Sequence, residues 1–311
     1  MVPRSILLTG AGGFVGRHLQ RALAEAFPEA ALHAAEFDVT DAAAVAAAVR
    51  KTRPEACVHL AAVSAIGAAR ADPDHAWRVN LHGTLHLARA LLGEARECRL
   101  VFASSAEIYG ESFRAGRMLD EQAVPAPLNT YAATKAAADL ALGAMAAEGL
   151  RVIRIRPFNH TGPGQSESFV VAAFARQIAR IEAGLQTPVI RVGALDPARD
   201  FLDVRDVCAA YVAAIRREAL LPPGTVLNLA SGTPRRVGTV LDALLHLAGI
   251  AARVEADPAR MRTNDIPLAG GDASRARMLL DWQPRIAWET TLADVLEDWR
   301  GRAKRERRGE G

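Results

Sequence analysis

Tyr131 and Lys135 stand four residues apart, downstream of the run Ser104-Ser105-Ala106-Glu107-Ile108-Tyr109-Gly110. On a helix that spacing puts the phenol and the ammonium on one face, one turn apart. A free tyrosine titrates near 10 and is a poor acid or base at neutral pH. A neighbouring lysine charge stabilises the phenolate, and a drop of about three pH units takes roughly 4 kcal/mol of differential stabilisation. A hydroxyl such as Ser105 is placed to hold a carbonyl oxygen beside that phenol. Proton donor, cation and oxygen clamp are the groups that hydride transfer to a ketone needs. Taken alone, Tyr-x-x-x-Lys equally suits a surface helix, so the elements around it must decide.

The N-terminus supplies them. Ser5-Ile6-Leu7-Leu8-Thr9 reads as a short buried strand running into Gly10-Ala11-Gly12-Gly13-Phe14-Val15-Gly16, and Arg17–Leu23 has helical periodicity. Gly10, Gly13 and Gly16 are spaced three apart. They permit a tight turn, close approach of a pyrophosphate and tight helix–strand packing, with phosphate at the helix N-terminus. Strand, turn and helix come in the order that a dinucleotide-binding motif demands.

Up to about residue 158 strands and helices alternate. Ala56–Ala62, Leu100–Ser104 and Arg151–Arg156 read as strands, and Asp41–Lys51, Ala76–Gly93 and Tyr131–Glu148 as helices. That alternation predicts an α/β fold, a doubly wound parallel Rossmann sheet. Ligands bind beyond the carboxyl ends of such strands, and Ser105 lies just past one. Residues 1–158 are therefore expected to form the NAD(P)-binding domain. Residues 159–311 are expected to be mainly a smaller substrate lobe, with roughly 200–230 returning to the sheet. In that half Phe169–Glu182 and Asp206–Ala219 read as helices, Gly193–Asp200 as a loop and Val226–Leu229 as a strand. Trp282, Trp288 and Trp299 read as core anchors, His160 as a satisfied structural histidine, and Asn80 as fixing backbone geometry or capping.

The 311 residues are half apolar and 23% charged, enough for a substantial core. No apolar run approaches the ~20 residues of a membrane span, and the first strand is too glycine-broken for a secretory leader. Cys57, Cys98 and Cys208 are far apart and odd in number, which points to buried free thiols and a cytoplasmic protein, not disulfides or a metal. Residues 300–311 hold six Lys/Arg against two Glu, a net +4 in a chain of +3, so the rest is near −1. The basicity is a tail, expected to be frayed and solvated, and it argues against a nucleic-acid partner.

The glycine turn, Ser-Ser-x-x-x-Tyr-Gly and Tyr-x-x-x-Lys together resemble the extended short-chain dehydrogenase/reductase family over nearly the whole chain. Arg156-Pro157-Phe158-Asn159-His160-Thr161-Gly162-Pro163-Gly164-Gln165, Arg199–Asp206 and Asp257–Arg262 are similar to segments of its branch acting on GDP-linked 4-keto-6-deoxy sugars. The resemblance implies Ser105, Tyr131 and Lys135 as catalytic residues, with Glu107 a further candidate where a related dehydratase moves a C5 proton. It implies a cofactor site of Gly10, Gly13, Phe14, Val15, Gly16, Asp38, Val39, Leu60, Ala61 and Ala62, together with Tyr131 and Lys135. It implies a GDP-linked sugar substrate met by Asn159, Val170, Arg199, Arg262 and Asp265. Ala173 departs from the dehydratases, which carry a lysine there. Glu36 lies 20 residues past Gly16, where a ribose carboxylate is expected, yet Glu36–Asp41 also resembles the later segment in which Asp38 and Val39 flank the adenine. Without a dedicated carboxylate there is room for a 2′-phosphate, met by Arg17, so NADP(H) is favoured and NAD(H) possible. The resemblance leads to a reductase over a dehydratase, an epimerase or a nucleotide-sensing protein. The alanine face of helix 131–148 suits packing in a homodimer, and no membrane partner is expected.

Overall fold

The computed structural model describes residues 2–35, 37–261 and 266–309. Strand β1 (Ser5–Thr9) is buried without alternation from Ile6 onward, as a central parallel strand covered on both faces requires. Helix α1 (Phe14–Ala26) and strand β2 (Ala31–Ala34) follow. Helix α2 (Ala42–Thr52) starts where the Asp41 carboxylate accepts from the amides of Ala43 and Ala44, a cap worth ~1 kcal/mol. Strand β3 (Ala56–His59) leads into short helices α3 (Ile66–Ala71) and α4 (Pro73–Trp77), a π-helical turn at Arg78–Gly83, and α5 (Thr84–Glu94).

The single helix expected over Ala76–Gly93 is thus interrupted, and Asn80 is the reason. Its buried side chain leaves the helix to bond Val63 N (2.8 Å), Val63 O (3.1 Å) and Thr134 Oγ1 (2.9 Å). A side chain recruited across the fold in this way produces a π-bulge.

Strand β4 (Arg99–Ala103) runs into a 3₁₀ segment at Ala106–Ala115. Helix α6 (Thr130–Ala147) is capped by Asn129, which accepts from Ala132 N at 2.9 Å. Then come β5 (Val152–Pro157), β6 (Asn159–Thr161), α7 (Val170–Glu182), β7 (Val189–Val192), β8 (Ala198–Asp203) and α8 (Val204–Arg216). The chain closes with β9 (Thr225–Leu229), β10 (Pro234–Arg236), α9 (Val237–Ala248), β11 (Arg253–Ala256), β12 (Leu268–Ala269), α10 (Ser274–Leu280) and α11 (Trp288–Arg307).

Six strands form one sheet in the order β2-β1-β3-β4-β5-β9, every pairing parallel. Ile6 and Leu8 of β1 pack with Leu19, Leu23, Val207 and Tyr211 of α1 and α8. Leu7 packs with Val45, Leu87 and Leu142 of α2, α5 and α6. Since alternate residues of a strand face opposite ways, both faces carry helices, and the fold is the doubly wound α/β arrangement. A further cluster joins α7, α9 and α11 through Phe174, Val240, Leu296 and Trp299.

Beside this cluster β8 pairs with β6 and β12 in parallel and with β10 antiparallel. The loop expected over Gly193–Asp200 therefore ends at Pro197, since ladder bonds with two neighbours draw Ala198 into a strand. The basic tail is not frayed either. Helix α11 continues to Arg307 because Ala303 is buried and ion pairs run from Arg300 to Glu182 and from Arg180 to Glu306. The three cysteines are buried free thiols. Among the described residues no helix is long and apolar enough to cross a membrane, and no His, Cys, Asp and Glu cluster could hold a metal.

Candidate active site

The chain leaves β1 for β2 on one side and returns to β3 on the other, which makes the β1/β3 boundary the switch point where ligands sit in such sheets. The glycine turn occupies it. Gly10 has φ +70°, and a Cβ there would lie 2.7 Å from Ala61 N. A Cβ on Gly16 would lie 2.2 Å from Gly10 O. Gly13 caps α1 and donates to Gly10 O at 3.0 Å. Phe14 and Val15 form the first turn of α1, which holds no acidic residue to repel an anion.

Leu60-Ala61-Ala62, expected as the end of a strand, leaves the sheet after His59 and lies against this turn, with Ala61 N donating to Thr9 Oγ1 at 3.3 Å. Val39 is buried, while Asp38 is exposed and accepts from Thr40 N at 2.8 Å, which holds its carboxyl below the usual range. The ends of the first three strands thus make a backbone-lined cradle at a helix N-terminus, a shape and polarity that fit a dinucleotide pyrophosphate. Arg17, expected to meet a 2′-phosphate, bonds backbone carbonyls here. Its guanidinium donates to Gly12 O (2.7 Å) and Gly164 O (3.2 Å), stapling the glycine turn to the 160–165 loop. Phe14 stacks on His160 across the same junction, 6.3 Å between centroids, and His160 Nδ1 lies 3.0 Å from Phe158 O. Glu36 lies outside the described residues.

Tyr131 sits in the first turn of α6 and Lys135 one turn on, facing the end of β4. Ser105 caps the 3₁₀ segment, its Oγ accepting from Glu107 N at 3.1 Å, and its hydroxyl lies close enough to the Tyr131 phenol to lower the phenol's pKa. Thr134 Oγ1 donates to Tyr131 O at 2.8 Å and accepts from Asn80, so the π-turn fixes the backbone that carries Tyr131. Ser105, Glu107, Tyr131 and Lys135 are therefore brought together.

The electrostatics differ from expectation. Burial pushes the Tyr131 phenol up to about 12, the nearby Ser105 hydroxyl acts against it, and the Glu107 charge adds to the rise. Lys135 does not reverse this. Burial drives its own ammonium down to about 7, against the pull of Asp139, and the ammonium rests 4.2 Å above the Phe102 ring. In this environment Tyr131 stays protonated at neutral pH, the form a proton donor requires.

Asn159 opens β6, and its register partner on β8 is Phe201, two residues from Arg199. Arg199 Nη1 donates to Ala198 O (2.9 Å) and Ile266 O (2.7 Å). Val170 is the first residue of α7. Ala173, one turn on, lines a cavity of roughly 230 Å³ with Glu167, Ser168, Arg176, Gln177 and Arg260. Arg262 and Asp265 lie outside the described residues.

Asn80, expected to fix backbone geometry or to cap, does the former through partners far along the chain, Val63 and Thr134. Two features were not read from the sequence. His59 is fully buried, its Nδ1 2.6 Å from Thr9 Oγ1 and its Nε2 2.9 Å from Thr84 Oγ1. Asp139, four residues past Lys135, is bound by Arg154 and Arg156. The i, i+4 spacing and the alternate arginines of β5 were the available signal for the last.

Residues 6–230 match the NAD dependent epimerase/dehydratase family. A GDP-6-deoxy-D-mannose reductase of Pseudomonas aeruginosa is 36% identical over 304 residues, 97% of this chain and 99% of its own length. The structure of RMD from Pseudomonas aeruginosa complexed with NADPH superposes with a TM-score of 0.88 at 34% identity, covering 96% of this chain and 99% of that one. GDP-mannose 4,6 dehydratase 2 of Arabidopsis thaliana is 28% identical over 277 residues, 87% of this chain and 72% of its own length.

Proposed function

This chain belongs to the NAD dependent epimerase/dehydratase family, and from that premise we propose an NADPH-dependent reductase that converts GDP-4-keto-6-deoxy-D-mannose to GDP-D-rhamnose. One observation carries the reading. Ser105, Tyr131 and Lys135 meet beyond β4, beside a pyrophosphate cradle at the β1/β3 switch point. This occurs in a chain similar end to end to a reductase of that substrate class. The Gly10–Gly16 turn, Asp38–Val39 and Leu60–Ala62 hold the dinucleotide, whose nicotinamide supplies hydride when bound. Ser105 hydrogen-bonds the C4 keto oxygen. Tyr131 gives its proton to the oxygen as negative charge develops there, a contribution of typically 10²–10⁴-fold. Lys135 supports the phenolate left behind. Asn159, Val170, Arg199, Arg262 and Asp265 meet the sugar nucleotide, where arginine offers bidentate, permanently charged donors to a diphosphate.

Residues 1–158 serve the cofactor and 159–311 mainly the substrate, with β9 pairing to β5 in the main sheet. The buried thiols suit a reducing cytoplasm. The exposed Leu140 on the alanine-rich α6 suits a homodimer packed through that helix.

Glu107 beside Tyr131 favours a second reading, a GDP-mannose 4,6-dehydratase. Two incubations separate them. The reductase leaves GDP-mannose untouched and oxidises NADPH with authentic 4-keto substrate, giving the C4 alcohol by NMR. A keto product from GDP-mannose, with no NADPH loss in the second tube, would overturn the reductase.

A further inference from the structure

Lys135 is buried, and among the described residues no carboxylate lies within ion-pair distance of it. One turn further along the same face of α6, Asp139 has no exposed surface. Its Oδ1 accepts from Arg156 Nη2 (2.8 Å) and Arg154 Nη1 (3.0 Å), and its Oδ2 from Arg156 Nε (3.1 Å). Both arginines rise from the same side of β5 and are tied elsewhere. Arg154 Nη2 donates to Gly224 O at 2.7 Å. Arg156 Nη1 donates to the Tyr109 hydroxyl at 3.0 Å, and that hydroxyl donates to Asn228 Oδ1 at 2.8 Å. Ser104 Oγ, also buried, approaches the carboxylate without closing a full hydrogen bond. An anion held by this many fixed donors can neither rotate nor protonate readily.

The other groups around Lys135 offer it no counter-charge. Phe102 of β4 presents its ring face. His59 of β3 lies against the other part of that ring, 5.9 Å between centroids. Thr84 Oγ1 gives its proton to Asn80 O at 2.7 Å, so it accepts from His59 Nε2, and Thr9 donates to Nδ1. His59 is therefore a neutral Nε2–H imidazole, and burial together with the Lys135 charge holds it down at about 3. On α6 itself Tyr131 is protonated, and Glu107 lies on the Tyr131 side.

We propose that Asp139 is a positioning residue, a fixed counter-charge one helical turn behind Lys135 that keeps that side chain an ammonium beside Tyr131, while Arg154 and Arg156 keep the carboxylate ionised and still. Burial alone drives Lys135 down, and the Asp139 charge is what opposes it. The role of Asp139 in turnover rests on Tyr131 and Lys135 being the catalytic pair. The charge coupling does not, and it is tested without substrate.

The chain has only three lysines, Lys51, Lys135 and Lys304, so ¹³Cε-lysine NMR resolves Lys135 after assignment with Lys51→Arg and Lys304→Arg. Its titration midpoint should fall by about one pH unit in Asp139→Asn, the effect of removing an opposite charge one helical turn away in a buried site. It should stay near the wild-type value in Asp139→Glu. The alkaline limb of the kcat profile should move down with it, lowering kcat about tenfold at pH 8 and sparing it below pH 6, with KM changed less than about threefold. An Asp139→Asn midpoint equal to wild type overturns the proposal. Should Asp139→Asn not fold, the double variant Asp139→Asn/Arg154→Met, which removes the carboxylate together with one of its cations, is compared with Arg154→Met alone; its Lys135 midpoint should lie about one pH unit lower, and equal midpoints overturn the proposal. A shifted midpoint with an unmoved kcat profile would instead refute the catalytic pair.

Discussion

Replacing Gly16 by alanine tests the cofactor cradle in the protein's own backbone. The added methyl would sit 2.2 Å from Gly10 O, 2.5 Å from Ala11 O and 2.7 Å from Ala11 C. Every one of these is backbone, and no flexible side chain can swing aside. Relief requires the turn and α1 to separate by roughly 1 Å, against a Gly13 N to Gly10 O bond of 3.0 Å and Leu19 and Leu23 buried behind it. Overpacking of this kind costs about 1–3 kcal/mol, occasionally more. At about 2.1 cal/mol/K of unfolding entropy per residue, in a chain of 311 residues that is a fall in Tm of roughly 1.5–5 °C. The pyrophosphate cradle moves with the turn, so NADPH affinity should drop at least tenfold, about 1.4 kcal/mol. Gly12→Ala is the internal control, because nothing lies within 4 Å of a Cβ there, and its Tm should stay within the ~0.5 kcal/mol typical of surface changes. Thermal unfolding and NADPH fluorescence titration on both variants give the comparison. Equal Tm values for Gly16→Ala and Gly12→Ala would refute the close-approach reasoning.

Tyr131→Phe should lower kcat by 10²–10⁴-fold and leave the NADPH Kd within about threefold, and turnover above a tenth of wild type would remove Tyr131 as the acid. Asn80→Ala leaves Val63 N, Val63 O and Thr134 without their partner. It should cost about 1–3 kcal/mol, read as a lower denaturation midpoint, and an unchanged midpoint would mean the π-turn holds without it. Burial raises the thiols of Cys57 and Cys98, and that of Cys208 to about 12. The unfolded chain therefore loses protons above about pH 9 that the folded chain keeps, and stability falls as pH rises. At pH 10 each thiol should contribute about 1.4 kcal/mol of that loss; a Cys57→Ala variant with an unaltered slope of Tm against pH would contradict the assignment.

What the sequence made legible follows from how local each constraint is. Gly10 and Gly16 are readable because their demands come from atoms a few residues away or on the adjoining strand end. The unbroken apolar run of β1 follows from burial on both faces. Asn80 is not readable in the same way, because its bulge is caused by Thr134, 54 residues on. The strand at Ala198 was masked by the Gly193 and Pro197 that precede it, and the ordered tail by ion partners at Arg180 and Glu182. Tyr131, Lys135 and Ser105 were legible as types and spacing, and the structure brings them together. The direction of the Tyr131 shift was not legible, because desolvation belongs to the folded interior and has no local signature. Asp139 lay in plain view at i+4, yet only the arginines of β5 give its charge a place to act.

The most direct measurement of the central claim is the fate of the hydride. The protein is incubated with GDP-4-keto-6-deoxy-D-mannose and NADPH deuterated at nicotinamide C4, on the transferring face, and the purified product is read by NMR. One deuterium at sugar C4, with one NADPH oxidised for each alcohol formed, is the expected result. A product free of deuterium, or sugar chemistry with no net NADPH oxidation, would contradict it.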